Sequence, residues 1–189
     1  MDRRVCTLAA GVACLLATGA SAQVPGGSIG LGVGVQSTVL IDEALISLAP
    51  VFYVPIMLTD AVMLEPGIGL LRFSQDDDAT ESTQTFLSLG TGILFFVSHG
   101  DDGRIYVGPR VGIRRFSSEV ESGGVEVETD NTNLSLAGVV GGEYFLKRGF
   151  SLGGEIGFAW NEIGDDDADE DASLVSTIAE FRVRWYFHR

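Results

Sequence analysis

Residues 28–36 read Ser28-Ile29-Gly30-Leu31-Gly32-Val33-Gly34-Val35-Gln36, with Ile29, Leu31, Val33 and Val35 at one parity and glycine, Ser28 and Gln36 at the other. Successive side chains of a strand point to opposite faces, so this is a strand with one aliphatic face and one face of small groups. In a soluble sandwich the aliphatic face would turn inward and glycine would form the solvent surface, an odd covering for a soluble protein. In a membrane barrel the aliphatic face meets lipid instead.

Working outward from this strand, period-two alternation recurs over roughly 46–57, 61–73, 85–96, 104–116, 132–145, 150–161 and 173–187, and no sustained helical period competes with it. Each segment has about the length that a tilted strand needs to cross a bilayer. Short turns are expected near Thr59-Asp60, Ser98 to Gly103 and Lys147-Arg148-Gly149, and longer loops over 37–45, 74–84, 117–131 and 162–172. The four loops hold 18 of the 26 acidic residues and no lysine or arginine. Short turns on one side and long loops on the other are the outer-membrane pattern. An open sheet edge in hydrocarbon would strand backbone donors and acceptors, so the sheet must close, and an even strand count closes antiparallel. The expected fold is all-β: an eight-stranded antiparallel up-and-down transmembrane β-barrel. A soluble lipocalin-like barrel is the rival, and the apolar face around all eight strands argues against it. Pro50, Pro66 and Pro109 fall inside these strands, where each removes a ladder donor, so bulges or shifted boundaries are expected there.

The chain opens with an export pattern: Arg3 and Arg4, an apolar run from Val5 to Leu16, and a small-residue cleavage site at Ala20-Ser21-Ala22. Residues 1–22 are therefore expected to be a cleaved signal peptide and 23–189 one barrel domain. Both cysteines, Cys6 and Cys14, lie in the signal, so the remaining chain has no thiol for a disulfide or a soft metal. Gly11 and the apolar residues beyond Cys14 argue against lipidation there. The formal charge of −14 at pH 7 argues against nucleic-acid binding by phosphate neutralisation.

The final strand carries Phe181, Val183, Trp185 and Phe187 at alternate positions, like the C-terminal assembly signal of outer-membrane barrels. With Leu48-Ala49-Pro50-Val51-Phe52-Tyr53 and Tyr106-Val107-Gly108-Pro109-Arg110-Val111-Gly112, the chain resembles the small OmpA/OmpX-type barrels over essentially all of residues 23–189. His188 and Arg189 after the last aromatic are a departure from that pattern. The resemblance implies a role at the cell surface and insertion by the barrel-assembly machinery into outer-membrane lipid. It does not imply one activity, since such barrels include anchors, adhesins, conduits and a few lipid-modifying enzymes.

Giving each strand's apolar set to lipid forces the other parity inward, which places Glu65, Arg110, Arg114, Glu143, Glu155, Glu180, Arg182 and Arg184 in the lumen. Charges inside a narrow barrel are costly unless paired, and a balanced Glu/Arg set offers bidentate pairing that fills it. Arg72 and Arg115 instead fall at lipid-facing parity near the outer ends of their strands, where meeting lipopolysaccharide phosphates and snorkelling to the rim are equal readings. Tyr144, Phe150, Trp185 and Phe187 near the turns and Trp160 near the loops form an aromatic belt at the same parity.

No catalytic, cofactor or metal constellation stands out. Ser98-His99 falls in a turn-side segment where neighbouring side chains point oppositely, so no serine hydrolase arrangement is expected. The acidic run Gly164 to Asp171 and Asp76-Asp77-Asp78 lack the EF-hand pattern and read as solvated loops with, at most, loose bridging by divalent cations. Gly30-Leu31-Gly32-Val33-Gly34 alternates within a strand and opens no helix, so it is not a phosphate loop; its inward glycines make room for arginines opposite. The expected function is a structural or surface-interaction barrel with a plugged lumen and acidic outer loops. The alternative is a narrow conduit for ions or small solutes.

Overall fold

The computed structural model describes residues 24–40, 47–77, 80–100, 102–122, 125–164 and 172–187. The expected signal peptide over 1–22 lies outside these residues. Among the described residues there are nine strand segments: β1 (Ile29–Leu40), β2 (Ser47–Tyr53), β3 (Ile56–Thr59), β4 (Val62–Asp77), β5 (Thr80–His99), β6 (Gly103–Ser122), β7 (Val125–Lys147), β8 (Phe150–Gly164) and β9 (Ala172–Phe187). Segments β2 and β3 form one barrel strand, because both pair with β1 on one side and β4 on the other. The sheet closes where β1 meets β9 antiparallel, from Ile29 opposite Phe187 to Leu40 opposite Ser176. The result is a closed eight-stranded antiparallel barrel with every consecutive strand adjacent.

The prolines interrupt the ladder without shifting it. Tyr53 pairs with Gly67 and Ile56 with Leu64, so register is unchanged across Val54-Pro55, which faces Pro66 and Glu65. Pro55 and Pro66 have no N–H to offer this seam, and one bond bridges it, from Val54 N to Pro66 O at 2.9 Å. At Pro109, β5–β6 pairing pauses between Gly92↔Arg110 and Phe95↔Val107, again in register. Pro50 pairs with Val35 of β1, and the ladder to β4 starts one residue later, at Val51↔Gly69. The expectation of bulges at Pro50, Pro66 and Pro109 is therefore corrected. The register shifts lie instead at Met57/Thr59, Phe96/Ser98 and Phe145/Lys147, beside the short turns.

A second correction concerns the loops. Most of 74–84 and 117–131 is strand: β4 and β5 pair as far as Asp77↔Thr80, β5 and β6 to Thr80↔Ser122, and β6 and β7 to Ser122↔Val125. The flanking ladders stop sooner, at Thr132↔Gly164 for β7–β8 and Val51↔Gly69 for β2–β4. A four-stranded sheet therefore stands above the barrel rim. Val125-Glu126-Val127-Glu128 and Thr80-Glu81-Ser82-Thr83 are rich in β-branched residues, so the local preference for strand outweighs their acidity.

At the turn end, residues before β1 tuck under the barrel. Gly27 N donates to Met57 O at 2.7 Å and Gly26 N to Asp60 Oδ1 at 2.7 Å. Gly27 and Gly149 hold φ of 83° and 77°, the left-handed region that only glycine adopts cheaply, and each sits at a turn.

Candidate functional site

Alternation decides what the interior contains. The outward set stays exposed, with Leu31, Phe52, Leu70, Ile113, Phe158 and Phe181 among them, and the inward set is buried although it is largely polar. Glu65, Arg182 and Arg184 are the extreme cases, at 0%, 1% and 1% exposed. In a soluble fold this would be inside-out; around a barrel it is a lipid face and a polar lumen.

The turn end of the lumen is closed by an apolar layer of Val24, Met57, Met63, Leu94, Phe96 and Phe145. Arg104 reaches into this layer, its guanidinium 3.9 Å from the centre of the Phe96 ring, and donates to Glu143. Glu143 also accepts from Ser151 Oγ at 2.8 Å and from the Tyr186 hydroxyl at 3.0 Å. Arg104 was absent from the expected lumen set because it opens its segment beside a turn. Its parity, even like Arg110 and Arg114, was the signal that identifies it.

The middle of the barrel is one interlocked layer. Glu65 accepts from Arg184 Nε at 2.7 Å, Arg182 Nη1 at 2.9 Å and Arg110 Nη2 at 2.5 Å. Glu155 takes Arg110 Nε at 2.7 Å and Arg182 Nη2 at 2.9 Å, while Glu180 grips Arg182 through two bonds of 2.7 Å. Arg184 links this layer to Glu143 at 3.3 Å. Each glutamate thus meets at least one guanidinium in the geometry that makes charge-assisted bonds strong. Tyrosine rings complete the packing: Arg182 lies 4.6 Å from the centre of Tyr53 and Arg184 5.3 Å from that of Tyr106.

The inward glycines clear space for more than arginines. A Cβ at Gly92 would meet Arg110 Nη1 at 2.8 Å, but one at Gly67 would strike Tyr53 at 2.7 Å, and one at Gly141 Tyr106 at 2.5 Å. Glycine on one strand therefore accommodates a large ring or guanidinium from its neighbour.

Above the network, on the side of the protruding sheet, lies a cavity of about 80 Å³ lined in part by Gln36, Tyr53, Ser88, Arg114, Ser135 and Glu180. Arg114 is half-buried here and has no carboxylate partner among the described residues. Its cross-strand partner Asn133 has a buried Oδ1 without a hydrogen-bond partner. Asn161 is satisfied by Ser176 Oγ at 3.0 Å.

On the outer face, Arg72 is exposed near the top of β4, and Arg115 pairs with Asp130 at 2.8 Å, both side chains well exposed. That bond holds the Asp130 carboxyl below the ordinary aspartate range. Phe181, Val183, Trp185 and Phe187 face outward on β9 opposite Val35, Val33, Leu31 and Ile29. Trp185 meets Phe150 edge-on with ring centres 6.0 Å apart, and Lys147 Nζ lies 5.5 Å from the Trp185 ring, a cation and aromatics at the turn-side rim. Residues 165–171 and Asp78 lie outside the described residues, as do the side chains of Asp76, Asp77 and His99, so the acidic and Ser-His readings gain no geometry.

Comparison with known proteins places this geometry. A search of curated proteins finds no match. Among solved structures, Ail, the attachment invasion locus protein of Yersinia pestis, is similar at 13% identity and TM-score 0.53, covering 85% of this chain and 97% of that one. Neisserial surface protein A is similar at 14% identity and TM-score 0.56, covering 85% and 96%. The outer membrane protein OprG from Pseudomonas aeruginosa is similar at 14% identity and TM-score 0.50, covering 89% and 100%. At these identities the likeness is one of fold. The sequence itself matches the outer membrane protein beta-barrel domain over residues 6–187, so this chain belongs to that family and is a protein of the bacterial outer membrane.

Proposed function

We propose that the protein is a plugged barrel that serves as a surface platform, holding an acidic four-stranded sheet out of the membrane for contact with partners at the cell surface. The observation that carries this reading is the continuation of β4, β5, β6 and β7 beyond the barrel rim. Its outer edges, β4 past Gly69 and β7 before Thr132, have no ladder pairing to β2 or β8 among the described residues. Such edges offer unpaired backbone groups, the raw material of strand addition, and the acidic sequence of these segments favours cationic partners. The filled lumen supports the same reading, since an apolar layer and a cross-linked charged layer stand in the path of any solute. Arg72 and Arg115, at the outer rim, are assigned to lipopolysaccharide phosphates, and the alternating apolar residues of β9 to recognition by the barrel-assembly machinery.

Two measurements on refolded protein test this. In a planar bilayer the wild type should show no discrete openings at any applied voltage; steady, reproducible openings would return the reading to a conduit. A variant with residues 74–83 and 118–129 each replaced by a short turn should still fold, as judged by heat-modifiable migration. Cells displaying the wild type should bind a cationic surface that cells displaying the variant do not, and equal binding by both would sink the platform role.

A further inference from the structure

We propose that the outer mouth of the lumen binds a small organic monocarboxylate with an apolar substituent, its carboxylate on Arg114 and its apolar part against Phe86 and Phe116. The inference begins with charge accounting. Arg104, Arg110, Arg182 and Arg184 are all bonded to glutamates, and Glu65, Glu143, Glu155 and Glu180 are all taken by them. Arg114 is the fifth inward arginine, and among the described residues no acid remains for it. A guanidinium withdrawn from bulk water without a counter-charge is unfavourable, and its fixed fork suits a carboxylate.

The surroundings define what carries that carboxylate. Arg114 lines the cavity of about 80 Å³ on the outer side of the charged layer, so a ligand arrives from the exterior and stops there. By register, Ser88 stands opposite Arg114, and one step further out on the same face Phe86 stands opposite Phe116. These two rings are half-buried and in contact, with centres 4.7 Å apart at 43°. Two phenylalanines turned toward the mouth of a polar lumen gain nothing from lipid, but they cover the apolar portion of a molecule whose acid group reaches Arg114. The acidic sheet above opposes entry of anions, and it opposes a polyanion more than a single carboxylate. The ligand class is therefore an aromatic or short aliphatic monocarboxylate, taken from solution because the strands wall this site off from lipid.

Benzoate, acetate and the neutral benzamide are suitable probes, titrated into the full barrel in lipid nanodiscs while the Arg114 Nε–H resonance is followed by NMR. Chloride at equal ionic strength is the control. Benzoate should shift this resonance saturably and acetate about tenfold more weakly, because the ring is lost. Benzamide and chloride should leave it unmoved. Arg114→Gln should abolish benzoate binding, followed in the variant through the Phe86 and Phe116 amides, and Lys147→Gln at the turn-side rim should leave it unchanged. Equal responses to benzoate and benzamide, equal responses to acetate and chloride, or retention of benzoate binding in Arg114→Gln would each overturn the proposal. If Arg114→Gln does not refold, the contrast between benzoate and benzamide on the wild type decides.

Discussion

Glu65 and Arg184, 119 positions apart in sequence, meet at 2.7 Å in the middle of the lumen, and neither is more than 1% exposed. Glu65 is also the carboxylate on which Arg110 and Arg182 converge, so it holds three of the lumen guanidiniums in one layer. Its removal leaves those charges short of a partner in a space too tight for them to leave. Glu65→Gln should therefore cost about 3–5 kcal/mol, the range for breaking a buried ion pair from one side. Urea unfolding in lipid vesicles, followed through Trp160 and Trp185 fluorescence, measures it. A change within about 0.5 kcal/mol, the usual size of a surface substitution, would mean that water inside the barrel replaces the carboxylate.

The tyrosine hydroxyls in the lumen are not equivalent. That of Tyr186 accepts from Arg104 at 3.1 Å and lies 3.0 Å from Glu143 Oε2, whereas that of Tyr106 receives a long 3.4 Å contact from Arg184. Hydrogen bonds to charged groups contribute about 1.5–3 kcal/mol when well formed, and they weaken with length. Tyr186→Phe should lose an amount in that range and Tyr106→Phe clearly less, in the same unfolding assay. The reverse order would show that ring packing, not the hydroxyl, decides.

Outside the membrane, the pair of Arg115 and Asp130 makes a prediction about pH. Hydrogen bonds from Arg115 and Ser117 lower the Asp130 pKa in the folded protein. A depressed carboxylate contributes stability above its unfolded pKa and loses it as pH falls through the folded one, so its effect belongs to the acid limb of the stability profile. Both groups are exposed, so the readout is titration and not unfolding. NMR of the Asp130 carboxyl should give a midpoint below the ordinary aspartate value, moving upward in Arg115→Gln. An unchanged midpoint in that variant would assign the shift to Ser117 alone.

Period two carried most of the fold, because a one-residue slip would turn a whole strand's side chains to the wrong face, and no strand here tolerates that. The same parity found Glu65, Arg110, Arg114, Glu143, Glu155, Glu180, Arg182 and Arg184 for the lumen, all of which face inward. Two things were not legible. Segments such as Val125-Glu126-Val127-Glu128 are acidic enough to read as loop, and only pairing with β6 beyond the rim makes them strand. Which arginine meets which glutamate was hidden too, because partners such as Glu65 and Arg184 come from strands that are not neighbours in the barrel.

The glycines allow a sharper contrast between two neighbouring strands. Gly108 follows the inward parity of β6 where Pro109 interrupts the ladder, and a Cβ there would lie 2.0 Å from the Ile93 carbonyl oxygen. That atom belongs to backbone, which cannot swing aside as a side chain can. Gly138 on β7, opposite Pro109, faces outward with nothing within 4 Å of an added Cβ. Gly108→Ala should then destabilise the barrel by about 1–3 kcal/mol, the cost of overpacking. Gly138→Ala should be neutral or stabilise by up to about 1 kcal/mol, since alanine restricts the unfolded chain and fills open space. Paired urea titrations decide. If both substitutions proved neutral, the close approach of β5 and β6 at Gly108 would be elastic, and the proline would set the gap in the ladder without any help from the glycine.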